Sequence, residues 1–178
     1  MFINLNFNIQ KMKKKYNTIT CLLFISLFLC NTSGMAQNKT SNALNVLPSE
    51  INSEIYFGMN LADFKNVIGS DLVLETKNDT DFRLVYSQKT TIPEIPTVVY
   101  YFDNEQNKPL YEIIINYQNE EQAKKAATLL FGQPNFNQTE WRIKIQGFPE
   151  IWSWVYKNKL IVVAKIYGSE WIDEWNKE

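Results

Sequence analysis

Residues 151–167 read IWSWVYKNKLIVVAKIY, and their alternation of side chains decides the fold. Two strands are predicted here, Ile151–Tyr156 and Leu160–Tyr167, joined by a two-residue turn near Asn158. Since successive side chains of a strand point to opposite faces, one face of this hairpin is aliphatic and small: Ile151, Ser153, Val155, Leu160, Val162, Ala164 and Ile166. The other, which we call the aromatic face, carries Trp152, Trp154, Tyr156, Lys159, Ile161, Val163, Lys165 and Tyr167.

Two helices are predicted upstream of this hairpin, and they share the same start and stop signals. Leu61–Ile68 follows the favoured N-cap residue Asn60, and Glu120–Phe131 follows Asn119. A glycine stands directly after each helix, where a residue with positive φ is expected. In the second helix the apolar side chains recur at helical spacing, at Ala123, Ala126, Ala127 and Leu130. This small face predicts close packing on the aliphatic side of the hairpin.

The remaining segments rich in Val, Ile, Tyr and Phe are predicted strands: Phe82–Ser87, Thr97–Phe102, Leu110–Tyr117 and Thr139–Ile145. Helix, strand, strand, strand thus occurs twice, as a tandem repeat. This order favours an α+β fold, an antiparallel sheet with the two helices packed on one face. A single domain is expected over residues 51–178, after a flexible polar lead-in of residues 37–50, and the tail Ser169–Glu178 is predicted to hold a short helix.

Residues 1–36 carry the three parts of a secretory signal peptide. The basic Lys13–Lys15 precede the apolar run Ile19–Cys30, and Gly34 and Ala36 are the small residues that signal peptidase requires. The apolar run has 12 residues, whereas a membrane-spanning helix needs about 20. We therefore expect cleavage between Ala36 and Gln37, giving a periplasmic or secreted protein with no integral membrane segment.

A lipoprotein is the alternative for this segment. Leu27 fits the first position of a lipobox that ends at Cys30. Leu29, however, stands where lipoprotein processing prefers Gly, Ala or Ser. The soluble form is favoured, and a lipidated Cys30 would instead place the protein on a membrane.

The amino-acid composition excludes several classes of catalytic and metal-binding site. The chain has no histidine, and its two cysteines, Cys21 and Cys30, both lie in the predicted signal peptide. The commonest general base, thiolate nucleophile and zinc ligands are therefore missing from residues 37–178, and we predict no catalytic residue, no metal site and no cofactor. Four of the 18 basic residues leave with the signal, so 14 remain against 19 acidic residues, a net charge of −5. Because this surface repels phosphate, no nucleic-acid partner is expected.

The stretch FGMNLADF, Phe57–Phe64, resembles the helix opening of the small outer-membrane assembly lipoproteins of SmpA/OmlA type. The helix-plus-sheet order is similar to that of the β-lactamase inhibitory protein superfold. The resemblance implies a non-enzymatic, protein-facing module of the bacterial envelope. It transfers no functional residue to this chain.

The aromatic face is the candidate binding surface, since amphipathic aromatic side chains are enriched at recognition hot spots. We predict that an envelope protein partner is bound by five residues: Trp152, Trp154, Tyr156, Lys165 and Tyr167. A glycan-binding protein, an Asp/Glu-dependent glycan hydrolase and an outer-membrane-associated assembly lipoprotein stay open as alternatives. A structural role stays open too, in which the terminal segment with Trp171 and Trp175 folds over this face and buries it.

Overall fold

The computed structural model describes residues 46–75, 80–105, 107–175 and 177. The predicted signal peptide, its cleavage site at Ala36, the alternative lipid site at Cys30 and residues 37–45 of the lead-in lie outside this part of the chain. Within it, no helix combines the length and the apolar character that crossing a membrane requires.

The described residues form three helices and seven strands. The helices are α1 (Leu61–Ile68), α2 (Glu120–Phe131) and α3 (Ile172–Trp175). The strands are β1 (Leu72–Leu74), β2 (Arg83–Lys89), β3 (Thr97–Asp103), β4 (Leu110–Asn116), β5 (Glu140–Ile143), β6 (Ile151–Tyr156) and β7 (Lys159–Ala164). The predicted bounds of α1, α2 and β6 are confirmed. The first round of the predicted repeat has one strand more than expected, the short β1.

The prediction that the last strand continues to Tyr167 is wrong, because β7 ends at Ala164. The Lys165 N–H still donates to the Glu150 carbonyl at 2.8 Å. The next N–H, of Ile166, turns back to the Ala164 carbonyl at 2.8 Å and takes the chain out of the sheet. Lys165 and Tyr167 therefore lie beyond the hairpin, not across it from the tryptophans.

Both long helices begin at an asparagine cap, as their sequences predict. Asn60 Oδ1 accepts a hydrogen bond from the Asp63 N–H, and Asn119 Oδ1 accepts one from the Gln122 N–H, each at 2.9 Å. The glycines that follow the two helices have φ of 79° and 75° with ψ near −150°. This backbone region is open to glycine almost alone, so each glycine ends its helix.

All seven strands belong to one antiparallel sheet, in the order β1-β2-β3-β4-β7-β6-β5. The two halves of the chain meet where β4 pairs with β7: Ile113 lies opposite Val162, and Ile115 lies opposite Leu160. The predicted mixed α+β fold with an antiparallel sheet is confirmed.

The core is built where the helices contact this sheet. Phe64 of α1 is fully buried, and its ring centroid lies 4.6 Å from that of Tyr100 and 5.0 Å from that of Phe102. The α2 helix contacts β6 and β7, and its Ala123 and Ala127 are both fully buried. Their small side chains allow the close approach that the sequence predicts.

Candidate functional site

The register of the strands defines the aromatic face of the folded sheet, since directly opposed residues point to the same side. The opposed pairs on this side of β5, β6 and β7 are Arg142–Trp152, Glu140–Trp154, Trp152–Val163, Trp154–Ile161 and Tyr156–Lys159. The face continues onto β4, where Glu112 lies opposite Val163. On these four strands it therefore carries two acidic residues, Glu112 and Glu140, and one arginine, Arg142, besides the predicted aromatic and basic side chains.

Trp152 lies at the centre of an aromatic cluster. Its ring centroid is 5.2 to 6.3 Å from the centroids of four other rings, those of Phe136, Trp154, Trp171 and Trp175. Its Nε1 donates a hydrogen bond of 2.7 Å to Glu140 Oε2. Trp152 is thus held by packing on several sides and by a polar contact at its edge.

Arg142 stabilises the same cluster by cation–π contacts. Its guanidinium carbon lies 3.9 Å from the ring centroid of Trp152, 4.1 Å from that of Trp175 and 4.8 Å from that of Phe136. A guanidinium stacked on aromatic rings stabilises by about 0.5–2 kcal/mol, more when water is excluded. The sequence does not point to Arg142, because nothing in the pattern EWRI shows that its partners come from β6 and the chain terminus.

The C-terminal segment, residues 169–175, packs across part of the aromatic face. The Trp171 ring centroid lies 5.4 Å from that of Trp154, and Trp175 is 6% exposed. Glu170 anchors the segment through both carboxylate oxygens, at 3.0 and 3.1 Å from Arg83 Nη1. The structure thus places the two tryptophans of the terminal segment against Trp152. In this arrangement the aromatic cluster has a structural role, because its rings hold the terminal segment on the sheet.

Glu112 is a buried carboxyl group beneath this segment. It is 5% exposed, and its Oε2 accepts a hydrogen bond of 2.9 Å from Trp171 Nε1. Burial raises the pKa of Glu112 to about 7, and the nearby Glu170 charge also raises it, while the Trp171 hydrogen bond and Arg83 oppose the shift. A single acid within the apolar strand LYEIIIN was the only sign of this group in the sequence.

Two tyrosines complete the surroundings of Glu112. The register of β3 and β4 shifts after Tyr101, which lies opposite Glu112, so that Tyr111 is an extra residue in β4. The Tyr111 ring centroid lies 6.5 Å from that of Tyr101. Burial raises the pKa of both phenols, and the carboxylates of Glu112 and Glu170 add to the shift. Both tyrosines therefore stay neutral at physiological pH.

The pH dependence of stability tests the Glu112 assignment. Because its folded-state pKa lies above the ordinary value of 4.5, its contribution to stability is fully present below pH 4.5 and is lost as the pH rises through 7. Glu112→Gln, which keeps a neutral side chain, is expected to remove this loss and to stabilise the protein at pH 8 by about 3 kcal/mol relative to wild type.

Urea unfolding at pH 5 and pH 8 measures this difference. Glu54→Gln is the matched control, since Glu54 is exposed. Equal pH slopes for wild type and Glu112→Gln would contradict a buried Glu112 with a raised pKa.

The five residues predicted to bind a partner differ in their placement. Trp152 and Trp154 lie together and are half-buried, whereas Tyr156 is 57% exposed at the tip of the hairpin. Lys165 is exposed, with its Nζ 5.6 Å from the ring centroid of Trp175. Tyr167 is 94% exposed and lies beyond β7.

Exposed lysines surround Tyr156 at the hairpin tip. The Lys157 Nζ lies 5.2 Å from the ring centroid of Tyr156, and Lys159 is its strand partner. The tip is tied to the end of β4, because Asn158 Nδ2 donates to the Tyr117 carbonyl at 2.6 Å and the Tyr117 N–H donates to the Asn158 carbonyl at 2.8 Å. Tyr156 is therefore presented on a fixed turn.

A second feature, which the sequence pattern does not predict, is a cavity of about 390 Å³ between residues 46–57 and residues 145–151. Val46 and Leu47, which fall within the predicted lead-in, pack against the core and line this cavity. The apolar residues of this stretch are spaced too irregularly to predict that it belongs to the folded domain.

Neither the chemistry of the side chains in these features nor similarity to known proteins assigns them an activity. In the part of the chain that the structure describes, no three Cys, Asp or Glu side chains come together in a way that could hold a metal ion. Comparisons of the chain with protein-family models, curated proteins and solved structures found no match. The resemblance of Phe57–Phe64 to the assembly lipoproteins therefore stays a prediction.

Proposed function

We propose that this chain is a non-enzymatic binding module of the bacterial envelope, which recognises a protein partner through the uncovered part of its aromatic face. The observation that carries the proposal is the pair Trp154 and Tyr156. Trp154 is half-buried in the aromatic cluster, and Tyr156 extends from the same strand into solvent. Aromatic side chains held in place before binding lose little entropy on binding and are enriched at hot spots.

We further infer that α1 and α2 share the face opposite to the aromatic face. Tyr100, Ile113 and Val162 form one cross-strand row, so their side chains point to the same side. Phe64 of α1 contacts Tyr100, and Ala127 of α2 belongs to the same buried cluster as Val162. This arrangement leaves the aromatic face to the C-terminal segment and to a partner.

The charges at the hairpin tip favour a partner with an acidic rim. Lys157 and Lys159 flank Tyr156, although the predicted mature chain has a net charge of −5. Local positive charge on an acidic protein steers association with a negatively charged patch and limits the choice of partner.

The alternative of an Asp/Glu-dependent glycan hydrolase receives less support. A glycosidase places two carboxyl groups about 5–10 Å apart on either side of a cleft that admits a sugar. Glu112 has the raised pKa of a general acid, but it is buried and hydrogen-bonded to Trp171. Its neighbour Glu170 is paired with Arg83. Both carboxyl groups are engaged in holding the C-terminal segment.

Photo-crosslinking in the native host tests the proposed surface. A photoreactive phenylalanine analogue is placed at Tyr156 and, as the matched control, at Leu129, which is 77% exposed on α2. We expect one discrete protein adduct from position 156 that is absent from position 129 and weakened when Trp154→Ala is added. The same adducts from both positions, or none from position 156, would refute the protein-binding surface.

The cellular fraction that holds the adduct also tests the proposed location. Intact mass spectrometry is expected to show a chain that starts at Gln37, and an acylated Cys30 would show a lipoprotein instead.

A further inference from the structure

We propose that the cavity between residues 46–57 and 145–151 binds an acyl chain. This site is independent of the proposed partner surface, since none of its lining residues belongs to the aromatic face. Its walls are formed by apolar side chains from two segments that are far apart in sequence: Val46, Leu47, Ile55, Phe57, Ile145 and Ile151.

The polarity of the lining determines the class of ligand. The polar side-chain groups at this site belong to Ser49, Asn52, Ser53 and Tyr56, and all four residues are exposed. Ser49 Oγ donates to Glu50 Oε2, and Asn52 Oδ1 accepts from the Glu54 N–H. Because no residue of this lining, all of which the structure describes, has a buried polar side chain, a polar ligand would lose its hydrogen bonds to water without replacement. The interior of the cavity therefore suits an apolar group.

The volume of the cavity indicates a chain and not a single ring. An apolar cavity of about 150 Å³ is filled by benzene, so a cavity of 390 Å³ accommodates roughly 15 carbon atoms. Tyr56 and Phe148 line the same site and are 54% and 49% exposed, which places them at its opening to solvent. An amphiphile can insert its acyl chain there while its polar end remains in water beside the exposed Ser49 and Asn52.

Titration of the purified protein with a fluorescent polyene fatty acid tests this site. We expect saturable binding of one molecule per chain. Ile145→Trp, which adds volume at the cavity wall, and Phe148→Glu, which adds a charge at the opening, are each expected to weaken binding at least tenfold. Two exposed variants are the controls: Leu129→Trp on α2 and Tyr156→Ala on the aromatic face. Both are expected to bind as wild type does, and the second separates this site from the proposed partner surface.

Competition identifies the source of the acyl chain. Displacement of the probe by palmitate alone indicates a free fatty acid, and co-sedimentation of the protein with phosphatidylglycerol vesicles indicates chains of membrane lipids. Because Phe148 is exposed, Phe148→Glu should fold even if Ile145→Trp does not, as circular dichroism will show. Absence of saturable binding by wild type, or unchanged binding by a folded Phe148→Glu, would overturn the proposal.

Discussion

A chain that ends at Gly168 is expected to lose about 6 kcal/mol of unfolding free energy. Removing residues 169–178 takes away Trp171 and Trp175, and truncating a packed tryptophan costs about 3–5 kcal/mol. The lower figure is used for both, because Trp171 is only half-buried and the two rings pack on the same neighbour, Trp152, so that their losses are not additive. Since a domain of this size has a total stability of about 5–15 kcal/mol, the shortened chain is expected to be close to unfolding.

Urea unfolding compares this shortened chain with the full chain. The control is a chain that ends at Trp175, which keeps both tryptophans and is expected to unfold near the full chain's midpoint. The shortened chain should also bind a hydrophobic dye, because Trp152 and Trp154 lose their cover. If the chain that ends at Gly168 is as stable as the full chain, the C-terminal segment does not hold the aromatic cluster together.

The helices of this fold could be predicted because their signals are local. The caps Asn60 and Asn119, the glycines after each helix and the spacing of Ala123 and Ala127 all act within one or two turns. The hairpin was predictable for the same reason, since alternation over six residues defines the two faces of β6. Such signals do not depend on how the rest of the chain folds.

The end of the last strand could not be predicted in this way. The alternating pattern continues through Lys165 and Tyr167, yet the ladder stops at Ala164. The strand β7 ends there because the chain turns at Ile166 and continues to residues 169–175. The end of this strand is therefore set by tertiary structure.

The composition of the candidate site was also only partly visible in the sequence. The i, i+2, i+4 spacing of Trp152, Trp154 and Tyr156 correctly gives a shared face, but spacing does not show what covers that face. Arg142 and Glu112 come from strands on either side of the hairpin, so their contacts with the tryptophans depend on strand order. The residue pattern of one segment does not show which distant segment it pairs with in the sheet.

The second large effect is expected at the centre of the aromatic cluster. Trp152→Ala should lower the unfolding free energy by about 3–5 kcal/mol, because it removes four ring contacts and leaves a cavity. It also removes the ring on which Arg142 stacks and the hydrogen bond to Glu140. Tyr156→Ala, two residues along the same face, should change stability by less than about 0.5 kcal/mol, since Tyr156 is exposed.

We divide the aromatic face into a structural part around Trp152 and a free part at Tyr156. The unfolding free energies of Trp152→Ala and Tyr156→Ala test this division most directly. Urea denaturation of wild type, Trp152→Ala and Tyr156→Ala, followed by far-ultraviolet circular dichroism at one pH, gives all three values. We predict a large loss for Trp152→Ala and a stability near that of wild type for Tyr156→Ala. Equal losses in the two variants, or an unchanged stability of Trp152→Ala, would contradict the division and remove the basis for a binding surface at the hairpin tip.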